Sequence, residues 1–362
     1  MDFKNIAGIR LASQQIVATK CKTAKEVVAW MGAMQAQDYN MAKWAIGLRF
    51  PASTDEIIQE AINNGEVLRT HILRPTWHFV SAEDIYWMLE LTAPQMKTLQ
   101  RSRHKELGLT EKILAKSNSI IAKALSGGKH LSREELMALL EKSGIDTGNQ
   151  KSYHLMHTAE LNGIVCSGKI NDKKQTYALL EERVQKPKSL TREEALARLA
   201  QKYFTSHCPA TLQDFTWWSG LSATDARHAL EMVKNNFISE TIGTQTYWLT
   251  NSFSIPETNK TSVYLLPAYD EFIISYKDRS AVLPSEHNHK AVSNNGLFRP
   301  VILVNGKVTG LWKRLIQKDK VIIEAQFLKT TGKTIKHSVE KESQKFGEFL
   351  GKKAEVKFME IK

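Results

Sequence analysis

The chain has 362 residues, 42% of them hydrophobic, and carries a formal net charge of +12 from 50 Lys/Arg against 38 Asp/Glu. Its length suits two or three compact units with real cores, and no apolar run approaches the roughly 18 residues that a membrane span needs. Three scattered cysteines (Cys21, Cys166, Cys208) argue against a disulfide framework and structural zinc, and the first residues lack a signal-peptide core, so a cytoplasmic protein without metal or cofactor is expected.

The basic excess points to a polyanionic partner. It is uneven: residues 299–362 hold 15 Lys/Arg against 7 Asp/Glu, which is +8 of the +12. A second cluster is Lys97, Arg101, Arg103 and Lys105, with His104 among them.

In chain order, the first 250 residues read as a weak threefold repeat of helices followed by a hairpin. Each unit carries a Ser or Thr with an acid three residues on: Thr23 and Glu26, Ser132 and Glu135, Thr191 and Glu194. That pattern caps a helix start reciprocally. In the first unit (1–100) an apolar helix begins near Ala24, and residues 67–73 and 76–80 form a hairpin. In the second (101–185) a helix over 150–161 precedes runs at 164–167 and 176–180, which flank a basic tip of Lys169, Lys173 and Lys174. The third (186–255) repeats the plan with helices near 192–204, 211–219 and 223–234 and a hairpin over 237–250. Short helices ending in a hairpin describe a winged helix, which sets one helix in a DNA groove and the wing beside it.

From 256 to 362 the pattern changes. Strands are expected near 263–266, 300–305, 308–312 and 321–328, with Asn305-Gly306 as a hairpin turn between two of them. A helix over 339–350 and a strand over 355–361 follow, and 286–296 reads as a loop. The expected fold class is therefore α+β: three tandem winged-helix units followed by a C-terminal β-rich, basic domain.

No Walker loop, Gly-x-Gly-x-x-Gly or His-Glu-x-x-His occurs. His287 and His289 stand without an acid or cysteine cluster, so no metal is expected. The informative stretch is Met34-Gln35-Ala36-Gln37-Asp38-Tyr39. On a continuing helix Gln35 and Gln37 would point about 200° apart and could not share a site. If the helix ends there, an opened backbone brings both amides to one side, where their donors and acceptors can orient one water. Taken alone, a pair of exposed glutamines at a helix end is the commoner meaning of such a pattern.

Four ordered blocks carry a resemblance: 34–49 (MQAQDYNMAKWAIGLR), 68–80 (LRTHILRPTWHFV), 206–221 (SHCPATLQDFTWWSGL) and 265–280 (LLPAYDEFIISYKDRS). Together they resemble the AlkZ-like (AlkZ/YcaQ) family of bacterial winged-helix DNA glycosylases over nearly the whole chain. In the AlkZ branch a Gln, an apolar residue and a Gln orient the attacking water, and that motif falls on Gln35, Ala36 and Gln37. The YcaQ-like branch has Asp at the second polar position, so Gln37 places this chain nearer AlkZ. The sequence departs from the family at Cys208, where glycine is expected, and at Pro75-Thr76-Trp77-His78, where Gly-Thr-Leu-His is commoner.

The resemblance implies hydrolysis of the N-glycosidic bond of alkylated purines, bulky or crosslinked ones among them. Alkylation at N7 or N3 makes the purine a cationic, ready leaving group, so positioning and electrostatics suffice. Asp38 is a candidate helper for the positive charge that develops on the sugar. No lysine is implicated, so excision without a Schiff base or strand nicking is expected. Double-stranded DNA is the expected partner of a monomer. Arg69, Arg74 and His78 on the first hairpin, Arg101 and Arg103, the three lysines of the second hairpin, and Arg279 are the candidate DNA contacts. Trp44, Trp217 and Trp218 read as core. The block Tyr269, Asp270, Tyr276, Asp278 and Arg279 fits either a cleft lining or an internal hydrogen-bonded network. The alternative from a different class is a non-catalytic winged-helix DNA-binding protein or regulator, and a protein-binding scaffold is a weaker third.

Overall fold

A computed structural model of the chain describes residues 3–172, 174–251 and 261–360. Lys173, one of the three expected tip lysines, lies outside the described residues. The chain opens with α1 (Phe3–Ser13), α2 (Ala24–Met31), β1 (Ala33–Gln35), α3 (Tyr39–Gly47) and α4 (Asp55–Asn63), then the hairpin β2 (Val67–His71) and β3 (Trp77–Ser81). Next come α5 (Ile85–Glu106), α6 (Glu111–Leu125), β4 (Leu131–Ser132), α7 (Arg133–Lys142), α8 (Lys151–Leu161), β5 (Val165–Ser167), β6 (Thr176–Leu179) and α9 (Leu180–Arg183). A third set follows: α10 (Arg192–Ser206), α11 (Leu212–Ser219), α12 (Ala223–Val233), β7 (Ile238–Ile242) and β8 (Gln245–Leu249).

The strands repeat one arrangement. The short β1 pairs with β3 to give the order β1-β3-β2, and the short β4 pairs with β6 to give β4-β6-β5. In the third set Ala210 alone bridges Trp248 on β8. The helices begin where their caps dictate: Ser132 with Glu135 and Thr191 with Glu194 form complete capping boxes. At α2 only half forms. Thr23 accepts the Glu26 amide, while the Glu26 carboxylate takes the Lys22 amide at 2.6 Å.

The rest of the chain contributes β9 (Val263–Leu266), α13 (Glu271–Ile274), α14 (Asn288–Ala291), β10 (Val301–Val304), β11 (Lys307–Ile316), β12 (Lys320–Phe327), α15 (Lys333–Phe349) and β13 (Lys353–Met359). They form one sheet in the order β13-β12-β11-β10-β9. Only the β12–β13 pair is parallel, and α15 is the crossover that a parallel pair requires. Asn305 and Gly306 turn the β10–β11 hairpin with φ of 51° and 75°, the left-handed pair of a type I′ turn.

Three local expectations shift. The helix expected over 339–350 starts at Lys333, the loop over 286–296 contains α14, and α2, the helix expected from Ala24, stops at Met31 instead of running to the glutamines. Gly32 with φ of 79° ends it, because a left-handed residue cannot continue a helix and glycine adopts that state without strain.

Four substantial cores hold these elements. Leu68, Ile72 and Val80 of the first hairpin pack with Leu199, Phe204, Trp218 and Leu230 of the third set. Val27, Met34 and Trp44 pack with Leu265, Trp312 and Phe346, which joins α2 and α3 to the large sheet and α15. Ile6 and Leu11 pack with Phe272 and Leu303, and Leu125, Leu140, Leu155 and Leu179 make a core inside the second set. The segment with both glutamines thus lies between the first hairpin, the third set and the large sheet.

Candidate functional site

Because α2 stops at Met31, the next residues extend. Gln35 pairs with His78 across β1 and β3, and the Ala36 amide donates to the Trp77 carbonyl at 2.7 Å, so the extended run continues past β1. Gln37 and Asp38 then form a bend before α3. Gln35 is 6% exposed and Gln37 is exposed. Asp38 then caps α3: its Oδ1 accepts the Met41 amide at 3.1 Å, and Arg314 Nη2 approaches the same oxygen at 3.3 Å.

Behind Gln35 sits a carboxylate. The Gln35 amide donates to Glu271 Oε1 at 2.6 Å. Glu271 is 1% exposed, and it also accepts from the Trp218 indole at 3.2 Å and from the Ser275 hydroxyl. Burial pushes its carboxyl up, but His207, Ser275 and the Gln35 amide outweigh that and hold it at about 2. Asp270, next to it, N-caps α13 and takes a bidentate pair of hydrogen bonds from Arg49, both at 2.9 Å. Arg49 is fully buried, and its remaining donors reach the carbonyls of Gln14 and Ala45 and the Gln14 side chain. This network fixes where Glu271 stands, and Glu271 fixes the Gln35 backbone.

On the other side of Gln35 lies a cationic and aromatic shelf. Arg74 Nη2 donates to Gln35 Oε1 at 3.1 Å. Its guanidinium lies 5.9 Å from the Trp217 ring, over which Lys277 at 4.8 Å and Arg279 at 5.5 Å also sit. Arg279 further covers Phe298 at 5.0 Å, and Phe298 meets Tyr269. Burial, then the nearby Arg74, pulls Arg279 down to about 10. Trp217 was expected in the core and is instead 36% exposed. Its neighbour Trp218 takes the inward face of α11, and successive helical residues point about 100° apart.

Local backbone explains the approach of α11 to Arg74. Gly220 ends α11 with φ of 69°, and a Cβ there would stand 2.6 Å from the Leu73 carbonyl oxygen, so only glycine lets the two segments touch. Leu73, with φ of 62°, and Tyr269, with φ of 59°, hold left-handed conformations next to Arg74 and Asp270. Such strain in residues with a side chain clusters at functional sites.

The remaining candidates divide by exposure. Arg69 is 8% exposed; it donates to the Ala36 carbonyl at 3.0 Å and to Gln175 at 2.6 Å, and its guanidinium lies 4.2 Å over Trp77. Trp77, the departure from the usual leucine, is thus the plate that holds Arg69 against the glutamine strand. His78 has no exposure, and burial lowers it to about 3, so it is a neutral residue beneath the strand. Arg101, Lys169 and Lys174 are exposed. Arg103 is exposed but occupied by Glu106 at 2.7 Å and Gln150 at 3.0 Å. Arg279 joins the shelf, whereas Arg101, Arg103, Lys169 and Lys174 belong to the second set. Sequence reasoning missed Glu271, Arg49, Arg314 and Lys277. The acids within the apolar run 265–274 were the available signal for Glu271, since an acid there needs buried donors.

Among the described residues no group of three His, Cys, Asp or Glu is placed to hold a metal, and no helix is long and apolar enough to cross a membrane. Comparison with known proteins gives a single direction. The model of the family "DNA glycosylase AlkZ-like" matches residues 28–349. A protein of Streptomyces sahachiroi named as an interstrand DNA cross-link repair glycosylase is 22% identical over 355 residues, which cover 94% of each chain. The solved structure of the DNA glycosylase AlkZ from that organism superposes with a TM-score of 0.81 at 20% identity, covering 99% of this chain and 100% of that one. The chain belongs to the AlkZ-like family of DNA glycosylases, hydrolases that act on N-glycosyl bonds.

Proposed function

We propose that this protein is a monomeric, monofunctional DNA glycosylase that releases N7- or N3-alkylated purines from double-stranded DNA with a water held by Gln35 and Gln37. The observation that carries the reading is the anchored Gln35: its backbone is tied to Glu271 and its side-chain oxygen to Arg74, with exposed Gln37 two residues on. With its oxygen engaged by Arg74, Gln35 retains its NH2 donors and a second lone pair for a water. The water oxygen attacks the anomeric carbon, the glycosidic electron pair leaves with the purine, and the water proton passes to solvent. The alkylated purine departs neutral because it was cationic while bound. The products are the free base and an abasic sugar, with the strand intact. Asp38 lies beside the glutamines, where its charge opposes the cation developing on the sugar.

The three helix-and-hairpin sets serve as tandem winged helices, an assignment supported by the repeated order of a short strand beside the second hairpin strand. Arg69 and Arg74 flank the glutamines, the Trp217–Arg279 shelf extends the surface, and Arg101, Arg103, Lys169 and Lys174 carry it onto the second unit. The relative's name adds crosslinked purines to the substrate range. An exposed Gln37 admits an adduct too bulky for a closed base pocket.

The test incubates the protein with duplex DNA carrying N7-methylguanine and measures free base released by wild type and by Gln37→Ala. A fall of about 10-fold or more, roughly 1.4 kcal/mol of barrier, is expected in the variant. DNA binding without release of this base or of a bulkier N7 adduct would favour a purely DNA-binding protein.

A further inference from the structure

The second unit contains a cavity that the excision chemistry does not use. It is a half-open cleft between the C-terminal half of α5, the start of α6 and the end of α8, with a volume of about 650 Å³. That is the size class of small-ligand pockets, roughly 300–1,000 Å³. Its walls include Leu109, Leu114 and Leu161, and its polar groups lie deeper. His157 is 1% exposed and Asn118 is 9% exposed, and among the described residues neither His157 ring nitrogen nor Asn118 Oδ1 has a hydrogen-bond partner. Burial, then neighbouring histidines, pushes His157 down to about 3, so it is neutral and offers one donor and one acceptor. Unpaired buried polar groups cost about 1–3 kcal/mol each; these three atoms stand behind the cavity wall, shielded from solvent, so an occupant pairs them only as the His157 and Asn118 side chains turn toward it.

The rim carries the opposite chemistry. Lys97, Arg101 and Lys105 follow one another at four-residue spacing on α5, line the cavity and are exposed. Among the described residues none of them makes an ion pair, whereas Arg103 on the same helix is paired with Glu106. Like charges at that spacing repel by a few tenths of a kcal/mol, and a helix rises about 6 Å between them. A row of unpaired cations about 6 Å apart, above an apolar slot whose wall holds the unpaired His157 and Asn118 groups just behind it, fits a phosphate-linked planar heterocycle.

We infer that the cavity between α5, α6 and α8 is a second binding site that takes one unstacked nucleoside monophosphate, its base edge on His157 and Asn118 and its phosphate on the Lys97–Arg101–Lys105 row. The unit comes either from an unpaired stretch of a DNA strand or from a free mononucleotide. The inference leans on the DNA reading only for the choice of ligand, and its readout is independent of base release.

The experiment is calorimetric titration of the full chain with dGMP, deoxyguanosine, inorganic phosphate and a single-stranded hexanucleotide. dGMP is expected to bind at least 10-fold more tightly than deoxyguanosine or phosphate. Asn118→Leu and the exposed pair Lys97→Glu with Lys105→Glu are each expected to weaken dGMP at least 10-fold. A hexamer that binds at least 10-fold more tightly than dGMP, with a salt dependence lost in the double variant, identifies a strand as the source; equal affinities identify the free nucleotide. Absence of binding by both dGMP and the hexamer overturns the inference. So does phosphate binding as tightly as dGMP, or dGMP binding that neither variant weakens. Failure of these titrations while N7-methylguanine is still released would remove this site alone and leave the excision reading standing.

Discussion

Arg74 donates to the side-chain oxygen of Gln35 at 3.1 Å, across 39 positions of sequence. An amide so engaged cannot turn over freely, and that fixes which of its donors and lone pairs stay free. Arg74 is itself drawn from solvent, its guanidinium depressed by burial, so the contact is made where hydrogen bonds to charged groups are strong.

Replacing Arg74 by Met, which keeps length and removes the donor, is therefore expected to lower the single-turnover rate of base release at saturating DNA by about 10-fold. A loss confined to DNA affinity, with that rate intact, would make Arg74 a phosphate contact instead.

Asp38 both caps α3 and places a negative charge beside the glutamines, and one substitution separates the two. Asparagine caps a helix about as well as aspartate. Asp38→Asn is thus expected to melt within a degree or two of wild type while releasing base about 10-fold more slowly. An unchanged rate would confine Asp38 to its capping role and its contact with Arg314.

Arg49 and Asp270 form a pair with no exposure on either side chain. Arg49→Ala leaves the Asp270 charge buried without its partner, which costs about 3–5 kcal/mol. Urea unfolding should record a loss of unfolding free energy of that size, and a loss below about 1 kcal/mol would mean that water enters and rehydrates the carboxylate.

Stability should fall in mild acid. His78 and His157 are each held at about 3 in the folded chain, against 6.5 when free. The unfolded chain thus binds protons that the folded chain refuses, and stability that is full above about pH 6.5 drains as pH falls toward 3. Linkage gives about 2 kcal/mol per histidine at pH 5. Glu271, held at about 2 against 4.5, adds to the loss at lower pH. Urea midpoints at pH 7.5 and 5.0 check this, and equal midpoints would contradict the neutral burial of both rings.

Much of the fold could be read locally because its signals are local. Ser132 and Thr191 announced their helices through the acids three residues on, and Asn305-Gly306 announced its hairpin. The glutamine motif was legible as a motif, but its geometry was not. Whether Gln35 continues a helix depends on a three-residue strand whose partner, β3, lies more than 40 residues away, and so short a strand has no period of its own. The roles of Arg49 and Lys277 were not legible for a related reason: each acts through a partner distant in sequence, and Glu271, though visible as an acid in an apolar run, gave no sign that its partner is Gln35. Trp217 misled because two adjacent tryptophans share one apolar pattern while only one can face inward.

The 236 positions between Gln35 and Glu271 also set a clock. A ribosome adding about 5–20 residues per second exposes the glutamine strand on the order of ten to fifty seconds before it delivers the carboxylate that anchors it. The helix that packs on Trp44, through Phe346 and Phe349, arrives later still. The anchored geometry of the glutamine strand is therefore a property of the nearly finished chain.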